Sequence, residues 1–270
     1  DRIKKMSERY DHITIGKIDL HLPFNTNLRG TIKNSDLTIS KVRGTIAINT
    51  ESTDSDLNNL NGNINITTRG GNISATKLSG EMELSVVSGD INIFDCDANS
   101  MLTMDNGNIF INGLKGNLLS NTTLGETLVS NYEGESSVFN INVGNLKINK
   151  SKSNINATID IGSVNINNIQ GATTIFTGKG EINLNNIIGD VNCNTNFGNV
   201  NSINLFGKIN ANSELGDIEI NKGYNSFLKD HSVNIATKRG SISVRLPSDL
   251  PYAINSCLLY TSDAADDELG

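Results

Sequence analysis

Glycine recurs along this chain at a step of nine residues, and few architectures accommodate such a rhythm. It stands at Gly62, Gly71, Gly80, Gly89, Gly107, Gly116, Gly125 and Gly134, then, after one extra residue, at Gly144, Gly162, Gly171, Gly180, Gly189, Gly198, Gly207 and Gly216. Composition bias enriches a residue but does not space it. A fixed internal period identifies a repeat architecture before anything else is considered. The nine-residue units alternate in character, so the true repeat is a pair of them.

In the stronger half the glycines 71, 89, 107, 125, 144, 162, 180, 198 and 216 are followed two residues on by Ile73, Ile91, Ile109, Thr127, Leu146, Val164, Ile182, Val200 and Ile218. The weaker half carries Leu84, Leu102, Ser120, Val138, Ala157, Ile175, Cys193 and Ala211 in its equivalent column. The local pattern, as in Gly162-Ser-Val-Asn-Ile166, alternates polar and apolar residues. That period-two pattern predicts short strands with one face buried. Gly opens each strand because a tight corner often needs positive φ. Matching columns then stack at ~4.8 Å per coil. The fold expected is all-β: a single-chain parallel β-helix or β-solenoid of about ten 18-residue coils, each of two short strands. Right-handed winding is expected for parallel crossovers. One coil buries too few side chains, at ~1.5–3 kcal/mol each, to offset ~1–2 kcal/mol of backbone ordering per residue. The coils are therefore stable only as a stack with capped ends.

Residues 1–43 read as an N-terminal cap and first irregular coil, and residues 44–256 as the repeat array. Gly216 to Gly240 is 24 residues, six more than a coil, and the surplus is placed as a loop at Asn225–Asp230. Leu246-Pro-Ser-Asp-Leu250 echoes Leu22-Pro-Phe-Asn-Thr26, so similar devices flank the array. The run from Cys257 to Glu268 reads as the in-frame translation of a transposase-type sequencing adapter, and residues 257–270 are set aside. The natural chain is expected to start before Asp1 and to run on past Ser256.

Net charge is −7, with only 22 Lys and Arg in 270 residues and no basic patch, which argues against a nucleic-acid partner. No apolar run approaches the ~20 residues of a membrane helix, so no transmembrane segment is expected in this stretch. Asn is heavily used. It tolerates left-handed turns and stacks in side-chain ladders, which suits a solenoid.

No cofactor, metal or catalytic residue is expected. A calcium roll needs Gly-Gly-x-Gly-x-Asp in each repeat, whereas this chain has one Gly per nine residues. Polysaccharide-cleaving sites need acids that converge within ~5–10 Å. The position after the stronger-half glycine reads Asn72, Asp90, Asn108, Glu126, Asn145, Ser163, Glu181, Asn199, Asp217. Its acids lie two or three coils apart, roughly 10–14 Å, a spacing that suits polar corners. His12, His21 and His231 fall outside the repeat columns. Cys96 and Cys193, about six coils or roughly 29 Å apart, are too distant for a disulfide and read as buried apolar thiols.

One outer column changes character. The residue before each weaker-half corner reads Ser79, Asp97, Lys115, Glu133, Lys152, Gln170, then Ile188, Phe206, Tyr224. Together with Phe227 in the loop, Ile188, Phe206 and Tyr224 form a possible binding strip, either exposed to a partner or covered by the loop.

Ser88-Gly-Asp-Ile-Asn-Ile93, Leu215-Gly-Asp-Ile-Glu-Ile220 and Val244-Arg-Leu-Pro-Ser-Asp-Leu-Pro-Tyr252 resemble motifs of the bacterial DUF4097 putative-adhesin family. The related auto-transporter adhesin head (GIN) domain is similar too, and the resemblance covers roughly residues 20–256. It implies a solenoid at the bacterial cell envelope or outside the cell, without established chemistry and without catalytic residues. The function expected is a non-enzymatic, adhesin-like display or binding scaffold, with an unknown protein or glycan at the cell surface as partner. The alternatives are a carbohydrate-active or saccharide-binding β-helix, and a structural protein that polymerises end to end.

Overall fold

The computed structural model describes residues 23–228 and 230–248. Every regular element among them is a strand, and the twenty-one strands join in one parallel sheet wound into a β-solenoid. Successive coils pair about 18 residues apart, as Val164 with Ile182 and Ile182 with Val200. The solenoid makes about 11 turns. Regular pairing is present by Leu28, which faces Ile46, so in-register strands occur within the stretch expected to be an irregular cap. Residues 1–22 and 249–270, including His12, His21 and the adapter-like tail, lie outside the described residues.

One coil shows how the sequence closes. Gly162 turns the first corner, and Val164–Gln170 forms a strand whose Val164, Ile166 and Ile169 point inward. Ile166 and Ile169 are three apart, which a plain strand would place on opposite faces. The chain keeps both inside by placing Asn168 in the left-handed region (φ 58°). Asn tolerates that conformation better than other side-chain-bearing residues. Gly171 turns the next corner, and Thr173–Lys179 buries Thr173, Ile175 and Thr177. A regular coil therefore has a third bend beyond the two that glycine spacing indicates. Its column, Lys41, Asn59, Lys77, Asp95, Gly113, Asn131, Lys150, Asn168, Asn186, Asn204, has positive φ throughout.

The extra residue of the repeat sits earlier than the apolar columns imply. Register shifts between Glu133 and Ser136, so Ser120 and Ala157 pair with Phe139 and not with Val138. Phe139 is fully buried, Val138 only half-buried. A large ring between two small neighbours fills the core at constant volume. The bulge is tied down by Tyr132, whose hydroxyl lies 2.8 Å from the Gly116 carbonyl oxygen and 2.9 Å from that of Ser136.

Cys96 stacks with Leu78 and Leu114, and Cys193 with Ile175 and Ala211; both thiols are free and buried. Burial pushes both thiols up, Cys193 to about 12.

Two predictions test this register. Ile166→Asp places an uncompensated charge in the core and should lower stability by more than about 3 kcal/mol. Asn165→Asp, on the outer face, should change it by less than about 0.5 kcal/mol. Equal losses in urea denaturation would overturn the assignment of faces. At Gly162 φ is +149° and an added Cβ would overlap the carbonyl oxygen of Gly144, whereas at Gly30 nothing lies within 4 Å. Gly162→Ala should therefore cost well over ~1 kcal/mol, and Gly30→Ala no more than ~0.5 kcal/mol, read from the same titrations.

Candidate functional site

The outer surface is a set of columns, and the fold itself uses some of them. At the stronger-half corner, side chains bond the next coil. Asn72 Oδ1 accepts the Asp90 N–H (2.9 Å), Asp90 Oδ1 that of Asn108 (2.8 Å), and Asn108 Oδ1 that of Glu126 (3.0 Å). Asn145, Asn199 and Asp217 repeat the bond, and the Ser163 hydroxyl makes a longer one of 3.4 Å. Asn99, Asn154 and Asp190 do the same at the weaker-half corner. Glu126 and Glu181 accept no such amide; their side chains are a methylene longer. Glu126 instead receives a bond from the Asn145 amide (3.1 Å). The Asp and Asn of the corner column thus serve as backbone acceptors.

The column before the weaker-half corner lies along two shallow grooves. One, of about 400 Å³, runs past Tyr132, Lys150, Lys152, Gln170 and Ile188. The other, of about 540 Å³, adjoins the bulge at Glu133–Glu135. Among the described residues no group of three or more His, Cys, Asp or Glu is placed to hold a metal ion.

The structure does not stack the four residues of the expected strip. Ile188 and Phe206 are half-buried in adjacent coils, but Leu205 then faces Lys222, one residue short of the regular offset. The next coil lacks a counterpart of Asn204, so Gly223 sits over Phe206, and a Cβ at Gly223 would strike that ring. Tyr224 is carried out of the column and packs on His231, with ring centroids 5.1 Å apart. Phe227 is 93% exposed.

The same slip brings Lys222 into the column of Leu205, with its Nζ buried and unpartnered. Burial lowers its pKa to about 8, against the opposing pull of Asp230 and Asp190.

A second apolar column is clearer than the expected strip. Leu124, Val143, Ile161, Phe197 and Leu215 form one ridge, interrupted at Lys179, and each is 37–52% exposed. Each immediately precedes a stronger-half glycine, so its signal stands in the sequence at the other corner of the coil.

Searches of protein-family models, curated proteins and solved structures found no match to the chain.

The Lys222 environment yields a pH prediction. Its folded pKa, about 8, lies below its ordinary 10.5, so between these values the unfolded chain binds more protons. Stability then rises with pH through that window. Allowing for screening by solvent around the loop, the gain should be roughly 1–2 kcal/mol. Lys222→Met should be more stable than the parent at pH 7 and should lack the rise. Parallel pH profiles of the two proteins would disprove the assignment.

Proposed function

We propose that this chain is a non-enzymatic scaffold of the bacterial cell envelope or surface, an adhesin-like solenoid that displays rigid faces for binding. The observation that carries the reading is the sustained register. Strands pair in parallel from Leu28 to Arg245, so outward side chains stand in columns along the solenoid axis. At about 11 turns and ~4.8 Å per turn the described solenoid is ~50 Å long. Such a surface suits extended contacts better than an enclosed pocket, and the two grooves are shallow and open. The envelope location rests on the resemblance of the Gly-Asp-Ile-x-Ile motifs to the DUF4097 family. Fold alone does not assign function.

The test is surface labelling. An antibody to the solenoid should stain intact, unpermeabilised cells of the source organism, and protease added outside should remove the signal. Confinement of the protein to the cytosolic fraction on cell fractionation would overturn the proposal.

A further inference from the structure

On the flat outer face of the stronger half, the chain builds an uncharged lattice of amides. The inner column is Asn165, Asn183 and Asn201, in which each amide donates to the one before it at 3.2 and 3.0 Å. At the third bend, Asn168 donates to Asn149 (3.1 Å) and Asn186 to Asn168 (2.8 Å). An Asn amide has two N–H donors and two acceptor lone pairs. Each of these bonds takes one donor and one acceptor, so Asn168 and Asn183, in mid-ladder, keep one of each for a ligand.

The middle column differs. Asn167 and Asn185 stand in register on adjacent coils, yet neither side chain makes a hydrogen bond within the protein. Their full capacity faces outward. The fold makes no use of them, unlike the corner residues described above.

Followed toward the N-terminus, the same two strand columns lead to aromatic rings. Asn165 follows Lys147, Leu128 and Phe110; Asn167 follows Asn149, Ser130, Asn112 and Phe94. Phe94 and Phe110 are half-buried and tilted against one another, with centroids 5.6 Å apart. One face thus carries an aromatic platform and an amide lattice, spread over about six coil steps or ~29 Å.

We propose that this face binds a neutral, extended polysaccharide lying along the solenoid axis. Aromatic faces pack on the apolar C–H faces of pyranose rings, and amides exchange hydrogen bonds with hydroxyls in both directions. Sugar rings in an extended chain repeat at nearly the coil spacing of ~4.8 Å, so each ring lies opposite one coil. The two coils that carry Asn165–Asn168 and Asn183–Asn186 contribute no charged side chain to these columns; the Asn149 coil adds Lys147, which pairs with Glu126 at 3.6 Å, and Lys150, while on the far side the middle column ends on exposed Ile203 and Glu219 follows Asn201. The middle two coils of the lattice are therefore neutral, which favours an uncharged polymer over an acidic one.

This deepens the scaffold reading by naming its partner's chemistry, and the experiment uses purified chain, so it succeeds or fails independently of where the protein resides. Co-sedimentation would be measured with cellulose, chitin and mannan, and with alginate and heparin as acidic polymers. The parent should bind at least one neutral polymer and neither acidic one. The double variant Asn167→Ala/Asn185→Ala should keep its melting temperature and lose binding about tenfold, as expected for one or two net hydrogen bonds. Phe110→Ala should weaken binding as well. Failure to bind any neutral polymer, preference for the acidic ones, or undiminished binding by the double variant would each overturn the proposal.

Discussion

Hydrogen bonding between one coil and the next is the constraint on which this structure depends, and it continues around the corners as well as along the strands. The Gly162 N–H donates to the Lys179 carbonyl at 2.8 Å, and Val164 does the same to Glu181. Ser163, between them, is bonded from the opposite side by the Asn145 side chain. Such close stacking leaves no room for a Cβ at the corner, because the preceding coil's carbonyl oxygen occupies that space. The glycine period and the Asx position after it therefore have one cause. Backbone polar groups must be satisfied where the chain turns, and a bare α-carbon followed by a short acceptor side chain does so at most of the corners.

Inside the stack, each column is shared by consecutive coils, so packing is negotiated vertically. Phe139 is accommodated because Ser120 and Ala157 flank it. Thr177 and Thr195, near the stronger-half corner, avoid burying unpaired hydroxyls by bonding the Gly180 carbonyl, whereas the Thr50 hydroxyl in the same column is buried without a partner. Buried Lys222 has no such partner. It lies where the coil is one residue short and the six-residue insertion follows, so the columns lose their regular offset there, as they also do at Glu133–Ser136.

Outside, the same stacking turns single residue choices into surfaces. The corner Asn and Asp residues are occupied by the backbone. The residue before each stronger-half glycine is not, and there an apolar ridge is exposed from Leu124 to Leu215. The outer face of the adjoining strands carries Asn167 and Asn185, whose amides have no intramolecular partner. Residues of identical type thus differ in what they offer to solvent, according to whether an amide N–H of the next coil lies within reach.

The sequence by itself determined the coil length, the parallel stacking, the inward residues of the regular coils and the burial of Cys96 and Cys193. All of these follow from apolar columns repeated once per coil, which is local and periodic. Only the tertiary structure decided where that period is interrupted. The extra residue lies between Glu133 and Ser136, since the bulge there is held by the Tyr132 hydroxyl, while Val138 and Phe139 are equally apolar in sequence. Lys222, and not Gly223 at the regular 18-residue offset, stands in the buried Leu205 column, because the third bend is missing from that coil. The apolar columns three residues apart mark a break in the alternation, but its position is not legible in the sequence, since Asn168 and Asn167 are the same residue type and only φ distinguishes the one that turns. Register is an energy summed over neighbouring coils, so its local shifts are set by packing partners one full coil away and cannot be read from the segment that shifts.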